Sequence, residues 1–331
     1  MKKVALTGIK PTGIPHIGNF LGAIQPALKL SETCEARYFI ADYHAINSTK
    51  DSEAIRQMSL EVAAAWLACG LDPEQVLFYK QSSVPETFEL STILMAYTPK
   101  GLMNRAHAYK AILQSNAESG KDPDDGVNMG LFTYPILMAA DILLFDTDYV
   151  PVGNDQFQHV EMAVDIAQSF NFIHSCEAFK LPQALAHEQS KTVVGLDGRK
   201  MSKSYGNIIP LFAAEKELRK LIMKIVTNSQ TIEEPKDPDT CSVFALYKCF
   251  ATDEQIEALR QRYLAGGMGW GHAKQELFEV MNAQLSPYRE KYNALIQDSA
   301  YINSVLQEGS LKARELASQK IKLLRGIMGI D

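Results

Sequence analysis

The chain has 331 residues, of which 46% are apolar and 22% charged, and it has a net charge of −6. This balance is sufficient for a buried core and excludes disordered and low-complexity proteins, while the negative charge disfavours a strongly basic duplex-binding protein. The longest apolar stretch, residues 130–145, contains Pro135 and Asp141 and is too short for a membrane span. Five scattered cysteines without a Cys-x-x-Cys pair indicate buried thiols in a reducing compartment. With no signal-peptide pattern at the N-terminus, we expect a soluble cytoplasmic protein that does not contact a membrane.

The first half of the chain alternates short apolar runs with amphipathic helical patterns. The runs at residues 4–9, 37–41, 75–79 and 149–152 predict strands, and the patterns at residues 18–30 and 52–69 predict helices. Alternating strands and helices are typical of a parallel sheet with helices on both faces. We therefore expect an α/β fold with a doubly wound, Rossmann-like sheet.

The second half has a different texture, because strand patterns become scarce after residue 212. Helical patterns cover residues 215–225, 241–251, 253–264, 272–293 and 300–326. We expect an all-helical second domain, with the boundary near residues 205–212.

A loop rich in glycine and proline follows the first predicted strand and opens a helix. In a doubly wound sheet such a turn lies where nucleotides bind, and helix N-termini attract phosphate. Gly13 and Gly18 would let a triphosphate approach the backbone, and His16 and Asn19 could donate hydrogen bonds to it. The glycine spacing matches neither the dinucleotide fingerprint nor a Walker loop. A tight turn with a capping Asn19 and a surface His16 explains the motif equally well.

A second motif, Lys200-Met201-Ser202-Lys203-Ser204, places two lysines around a small hydroxyl residue in a loop rich in glycine and serine. Such a loop can close over a triphosphate and bring ammonium groups to the developing charge of pyrophosphate. The alternative is a solvated basic linker, which most short charge runs are. The five-residue match is specific enough to favour the phosphate interpretation.

Together, the segment His16-Ile17-Gly18-Asn19 and the 200–204 motif resemble the paired signatures of class I aminoacyl-tRNA synthetases. Residues 134–143 and 151–159 narrow the resemblance to the tryptophanyl-tRNA synthetases, because they are similar to the amino-acid pocket helix and to the Gly-x-Asp-Gln stretch that meets the ATP ribose. The sequence departs from the common pattern at Lys10, where most bacterial members have glutamine, and at Tyr205-Gly206-Asn207, where Asp-Pro-Asn is usual. These departures indicate a divergent bacterial-type branch.

The predicted pocket helix also has a physical argument for tryptophan. Met138 and Asp141 are three residues apart and therefore share a helix face. An indole N–H can only donate, and a carboxylate in apolar surroundings can accept from it, at a cost of about 1–3 kcal/mol when left unpaired. Tyrosyl-tRNA synthetases usually have glutamine in place of Met138. A capping acid on a surface face is the alternative for Asp141, and the apolar residues around it argue against that.

The resemblance implies activation of L-tryptophan by ATP with Mg²⁺ bridging the phosphates, then transfer to tRNA(Trp), in a homodimer without a protein-bound metal. It implies a catalytic domain over residues 1–205 with an inserted helical segment around 80–130, and a helical anticodon-binding domain over residues 206–331. The implied catalytic residues are His16, Asn19, Lys200, Ser202 and Lys203. The implied ATP-binding residues are Lys10, Pro11, Thr12, Gly18, Asn19, Gly153, Asn154, Asp155, Val193, Lys200, Met201, Ser202, Lys203 and Ser204, and the implied tryptophan-binding residues are Asp141, Met138, Tyr134, Gln156 and His44.

Other interpretations stay open at the level of the sequence. A tyrosyl-tRNA synthetase-like enzyme, a small-molecule nucleotidylyltransferase and a non-catalytic synthetase paralogue would each keep part of these motifs. The C-terminal basic run, which could meet tRNA phosphates or form a solvated helix face, consists of Lys312, Arg314, Lys320, Lys322 and Arg325.

Overall fold

A computed structural model describes residues 2–153, 156–186 and 193–331 of the chain. Within these ranges, one parallel sheet forms the centre of the first half, and helices make up most of the remainder. None of the described helices is both long enough and apolar enough to cross a membrane.

The sheet has five parallel strands in the order β3-β2-β1-β4-β5. The chain builds β1, β2 and β3 towards one side and then returns to place β4 on the other side of β1. The carboxyl ends of β1 and β4 therefore border the switch point, where ligands bind in open α/β sheets. The strands are β1 Val4–Ile9, β2 Glu35–Ile40, β3 Leu77–Lys80, β4 Tyr149–Val152 and β5 Gln183–Ala186.

Helices connect the strands, and they are the regular elements of the described chain after residue 212. A π-helical turn, Phe20–Ile24, joins α1 to α2. The helices up to β5 are α1 Ile17–Asn19, α2 Gln25–Ser31, α3 Asp42–Ala45, α4 Ser52–Ala68, α5 Glu86–Met95, α6 Lys100–Met103, α7 His107–Glu118, α8 Met129–Leu143 and α9 Phe157–Ile173. The later ones are α10 Glu215–Met223, α11 Ser242–Tyr247, α12 Asp253–Ala265, α13 Trp270–Gln297 and α14 Ser299–Met328.

Both faces of the sheet are buried, because successive strand residues enter different cores. Tyr38 and Phe78 belong to one apolar cluster, whereas their neighbours Phe39 and Tyr79 belong to another. The first cluster continues into the helices of the second half. This arrangement confirms the predicted doubly wound parallel fold with a helical C-terminal region.

The last helix, α14, packs against the edge strand β3. Gly309 is essential to this contact, since a Cβ atom there would lie 1.8 Å from the carbonyl oxygen of Phe78. Charged side chains hold the helix against α5, with Arg314 paired to Glu86 at 3.2 Å and Arg325 paired to Glu89 at 2.6 Å. The helix thereby covers a strand edge that would otherwise expose unpaired backbone groups.

Four members of the C-terminal basic run, Lys312, Arg314, Lys322 and Arg325, are exposed, as on a solvated helix face, whereas Lys320 is buried. Besides Arg314 and Arg325, the buried Lys320 donates to the Asp146 carboxylate and to the Ala178 carbonyl. Lys312 pairs with Glu308 on its own helix at 2.8 Å. Four of the five side chains thus form ion pairs within the chain, because the fold brings acidic partners close to them.

Two further expectations need correction. Strand β5 was not predicted, and the cysteines are less buried than expected. All five cysteines are free, but Cys249 is exposed and Cys176 and Cys241 are only partly buried.

Candidate active site

The first loop, residues 10–16, follows β1 and leads into α1 at the switch point. Gly13 has a φ of +81°, which an L side chain rarely adopts. Gly18 is needed for a different reason, because a Cβ atom there would lie 2.9 Å from the His16 ring. The two glycines therefore shape the loop itself, in addition to leaving room beside the backbone.

His16 is buried and caps α1 in a reciprocal pair with Asn19. Its Nδ1 accepts from the Asn19 backbone N–H at 3.3 Å, and its own N–H donates to Asn19 Oδ1 at 3.1 Å. The capping role foreseen for Asn19 is present, but His16 does not lie on the surface. The Ile17 N–H is also used, donating to the Ile209 carbonyl at 3.0 Å. Two of the first three helical amides are thus already bonded, which leaves less free backbone for phosphate than expected.

The protonation state of His16 follows from its surroundings. Burial, with a smaller contribution from the charge of Lys203, lowers the pKa of His16 from 6.5 to about 4. The ring is therefore neutral at pH 7, and because Nδ1 is an acceptor, the proton lies on Nε2. His16 can donate one hydrogen bond from Nε2 without bringing a second positive charge close to Lys203.

The lysine loop, residues 193–207, lies against the first loop. The Lys203 ammonium donates to the Thr12 carbonyl, and burial lowers the pKa of Lys203 while the nearby Glu61 opposes that shift. Behind it, the Leu211 N–H donates to the Pro15 carbonyl at 2.9 Å. The fold thus brings together two motifs that are distant in the sequence, as expected for one phosphate site.

The acid pocket, defined by Asp141, Gln81 and His44, lies beside the carboxyl end of β2 and β3. Asp141 is 3% exposed and receives hydrogen bonds from the Gln81 amide at 2.8 and 3.0 Å and from His44 Nε2 at 3.1 Å. Burial raises the pKa of Asp141, and the hydrogen bonds from His44 and Gln81 oppose this shift. Both carboxylate oxygens are therefore held as oriented acceptors.

Of the other residues predicted for the amino-acid site, Tyr134 contacts the acid pocket through His44. The Tyr134 hydroxyl lies 2.7 Å from His159 Nε2, and the Tyr134 ring stands edge-on to His44 at 6.4 Å between centroids. Met138 is half-buried and packs against the second apolar cluster. Gln156 is exposed at the start of α9.

The remaining residues predicted for ATP fall into three groups. Lys10, Thr12, Asn19, Gly153, Lys200 and Ser204 are exposed, whereas Pro11 and Met201 are buried and Gly18, Val193 and Ser202 are half-buried. Val193 accepts from the Met201 N–H at 2.8 Å and so closes the base of the lysine loop. Asn154 and Asp155 lie outside the described residues.

Three residues near these motifs were missed by the sequence arguments. Gln81 had a usable signal, because a polar residue directly after a strand lies at the ligand-binding edge of a parallel sheet. His159 and Asn207 had none, since their partners Tyr134 and Ser202 come from the fold and from a loop turn.

Comparisons with known proteins place this geometry in a family. The family model described as tRNA synthetases class I (W and Y) matches residues 2–286. The tryptophan--tRNA ligase of Neisseria meningitidis is 51% identical over 99% of this chain and 98% of its own length. That of Bordetella parapertussis is 51% identical over 100% of this chain and 74% of its own length.

A solved structure agrees with the sequence relatives. Tryptophanyl-tRNA synthetase from Campylobacter jejuni, complexed with ADP and tryptophan, superposes with a TM-score of 0.90 and 45% identity over 98% of this chain and 99% of its own. The family model, the sequence relatives and this structure agree: the chain belongs to the class I tRNA synthetases of the tryptophan and tyrosine type.

Proposed function

We propose that this protein is a tryptophan--tRNA ligase. It activates L-tryptophan with ATP, forming tryptophanyl-adenylate and pyrophosphate, and then transfers the amino acid to the 3′ end of tRNA(Trp). The observation that carries the choice of tryptophan is the buried Asp141 carboxylate, held as an acceptor in an apolar helix. The full-length similarity to tryptophan--tRNA ligases supports the same assignment.

The indole ring is selected through the lone pairs of Asp141. A carboxylate has about four lone-pair sites, and the contacts with Gln81 and His44 use three of them. One site remains for the indole N–H, which is a donor only. Met138, one helical turn before Asp141, supplies apolar contact to the ring. Tyr134 and Gln156 hold the ammonium and carboxylate of the amino acid, and His44 lies near the same pocket through its contact with Asp141. A side chain lacking the donor leaves the buried acceptor unsatisfied and is rejected.

Activation is a displacement at phosphorus that needs no protein nucleophile. An oxygen of the tryptophan carboxylate forms a bond to the α-phosphorus of ATP, and the bond between that phosphorus and the bridging oxygen of pyrophosphate breaks. Neutral His16 donates from Nε2 to a phosphate oxygen, and Asn19 donates from its exposed amide. Lys200, Ser202 and Lys203 stabilise the negative charge that collects on pyrophosphate.

The nucleotide lies along the first loop and the lysine loop. Lys10, Pro11, Thr12 and Gly18 border the phosphates, Met201 and Ser204 support the lysine loop, Gly153, Asn154 and Asp155 meet the ribose, and Val193 meets the adenine. ATP enters with Mg²⁺ as part of the substrate. The phosphates and water would supply most of the ligands of that ion. Among the described residues, no group of three or more His, Cys, Asp and Glu side chains could hold a metal ion.

In the second step, the 2′-hydroxyl of the terminal tRNA adenosine forms an ester with the activated carbonyl, and AMP leaves. We assign activation to residues 1–205, with an inserted helical segment around 80–130, and anticodon binding to residues 206–331. Unstacked loop bases are the usual target of sequence-specific RNA recognition.

We also propose that the protein acts as a homodimer in the cytoplasm. Phe172 is 86% exposed and the adjacent Ile173 is 58% exposed at the end of α9. An exposed apolar pair of this kind supports burial against a second copy. Sedimentation equilibrium of the wild-type chain tests this, and a monomer at micromolar concentration would contradict it.

The assay for the proposed function is ATP–pyrophosphate exchange, first with tryptophan and then with tyrosine. Exchange should require tryptophan, and tyrosine should support less than about 1% of the rate, because it lacks the indole donor. Charging of bulk tRNA with tryptophan should follow. Exchange with tyrosine instead, or with no amino acid at all, would point to a tyrosyl enzyme or a nucleotidylyltransferase, and absence of exchange to a non-catalytic paralogue.

A further inference from the structure

The lysine loop is held together by one buried amide, that of Asn207. Asn207 is 2% exposed although it lies next to three exposed residues, 204–206. Its Oδ1 accepts from the Ser202 N–H at 2.8 Å, and its Nδ2 donates to the Lys200 carbonyl at 3.1 Å. The two contacts bracket Met201, so the amide spans the part of the loop from which Lys200 and Lys203 project.

The same amide ties this segment to the other arm of the loop. Asn207 Nδ2 donates to Asp197 Oδ1 at 2.7 Å, and the Asn207 carbonyl accepts from the Leu196 N–H at 3.0 Å. Gly195 leaves no room for a side chain, because a Cβ atom there would lie 2.4 Å from Asn207 Nδ2. The backbone has therefore been shaped around this amide.

Asp197 is a dependable acceptor for that bond. The hydrogen bond from Asn207, followed by bonds from Arg199, lowers the pKa of Asp197 to about 2. The Arg199 guanidinium also pairs with Asp197 at 2.6 Å and lies 4.5 Å from the centre of the Tyr205 ring. Tyr205, one of the departures from the common pattern, thus adds to the outer side of the same loop.

We propose that Asn207 is a positioning residue for the activation reaction, setting the separation of Lys200 and Lys203 where they meet the leaving pyrophosphate. The inference rests on the proposed function and adds to it. The position needs a donor and an acceptor on one short side chain, because Ser202 offers an N–H while Asp197 and Lys200 offer oxygens. Only asparagine provides both groups in a side chain of this size.

The test is Asn207→Asp, which keeps the shape and the acceptor but removes the donor. At pH 8 it places two carboxylates in contact, so the loop opens and the kcat of tryptophan-dependent exchange should fall about 10- to 100-fold, with the ATP KM within about threefold of wild type. Two adjacent carboxylates share a proton, which raises one pKa and restores a donor as the pH falls. The activity of the variant relative to wild type should therefore recover between pH 8 and pH 5.5.

The reversed pair, Asn207→Asp with Asp197→Asn, restores a donor and an acceptor across the same gap. For this double variant, log kcat should recover at least half of the decrease caused by Asn207→Asp alone. Its activity relative to wild type should no longer rise as the pH falls. Asn104→Asp, at an exposed position in the first half that keeps its contact from Lys100, is the matched control and should resemble wild type.

The outcomes separate this inference from the proposed function. Absence of exchange in the wild-type chain would defeat the proposed function. Wild-type exchange together with an unchanged kcat in Asn207→Asp would defeat only the positioning role. A fall in kcat with a wild-type pH profile, not restored by the reversed pair, would mean that Asn207 acts only in folding, and would overturn the inference as well.

Discussion

The acid pocket and the lysine loop, which we propose serve the two substrates of one reaction, are built in opposite ways. Asp141 is buried and receives hydrogen bonds from buried and half-buried side chains before any substrate arrives. Lys200 and Lys203 project from an exposed loop whose shape depends on Asn207 and on the contact with the first loop. The acid pocket therefore presents a fixed acceptor, and the lysine loop presents charges on an exposed loop.

From this difference we expect the acid pocket to select the amino acid and the lysine loop to accelerate the reaction. A buried acceptor discriminates during binding, because an amino acid that cannot satisfy it leaves a desolvated group unpaired. Exposed ammonium groups gain little from ground-state ATP, whose phosphates are well hydrated, and gain more when charge moves onto the leaving group. Changes in the acid pocket should therefore appear in the tryptophan KM, and changes in the lysine loop in kcat.

The largest expected effect comes from Asp141→Ala. Both the indole N–H and the Gln81 amide lose their acceptor, at about 1–3 kcal/mol each, so the tryptophan KM should rise by about two orders of magnitude. The ATP KM should stay within about twofold. Steady-state exchange kinetics measure both constants, and Asp165→Ala, at an exposed position on α9, serves as the control. Equal increases in the two KM values would remove the pocket assignment.

Lys203→Ala should act on the opposite parameter. Removing this ammonium takes away charge stabilisation of pyrophosphate, so kcat should fall about 30-fold while the ATP KM changes less than about fivefold. Single-turnover formation of the adenylate gives the rate directly. Lys110→Ala, an exposed lysine on α7, should have no effect. A variant that lost only ATP affinity would show that Lys203 binds the ground state.

Gln81→Met tests whether the acid pocket depends on its supporting amide. The substitution removes a hydrogen bond that lowers the pKa of Asp141, so that pKa should rise further. We expect a tryptophan KM about 10-fold higher at pH 8. Since a protonated Asp141 loses its role as acceptor, binding should weaken on acidification from a higher pH than in wild type.

The readout is the pH dependence of the tryptophan KM, with Gln114→Met on α7 as an exposed control. A pH profile identical to that of wild type would show that Gln81 only fills space.

The smallest kinetic effect is expected from a substitution in the contact between α14 and β3, which lies outside both regions. Gly309→Ala forces α14 away from Phe78 and should lower the free energy of unfolding by about 2–3 kcal/mol, while both KM values stay near wild type. Gly326→Ala on the same helix meets no atom within 4 Å and should be neutral or stabilising by up to about 1 kcal/mol. Chemical denaturation of both variants measures the difference. Equal stability would mean that the contact with β3 is dispensable.

The sequence predicted those parts of the molecule whose signals are local. Strand β1 and the second-half helices were found within a few residues, because apolar periodicity is read within one element. Strand β5, Gln183–Ala186, was missed because it is short, half-exposed and free of β-branched residues.

Long-range pairings were beyond the reach of such patterns. Asp141 could be proposed for the pocket from its apolar neighbours, and Gln81 had a signal in its position after a strand. Their hydrogen bond could not be predicted, because it joins a strand end to a distant helix. The ion pairs of Arg314 and Arg325 could not be predicted for the same reason, since Glu86 and Glu89 reach them only through tertiary packing.

The contact between Phe78 of β3 and Gly309 of α14 can form only late in biosynthesis. The edge strand β3, Leu77–Lys80, leaves the ribosome early, whereas the helix that covers it, Ser299–Met328, is made much later. Until that helix has been made, the edge stays open to pairing with other chains, so the nascent protein is vulnerable to aggregation in a way the folded one is not. Removing α14 should therefore leave the edge of the sheet exposed, so that the protein aggregates before it can bind a substrate.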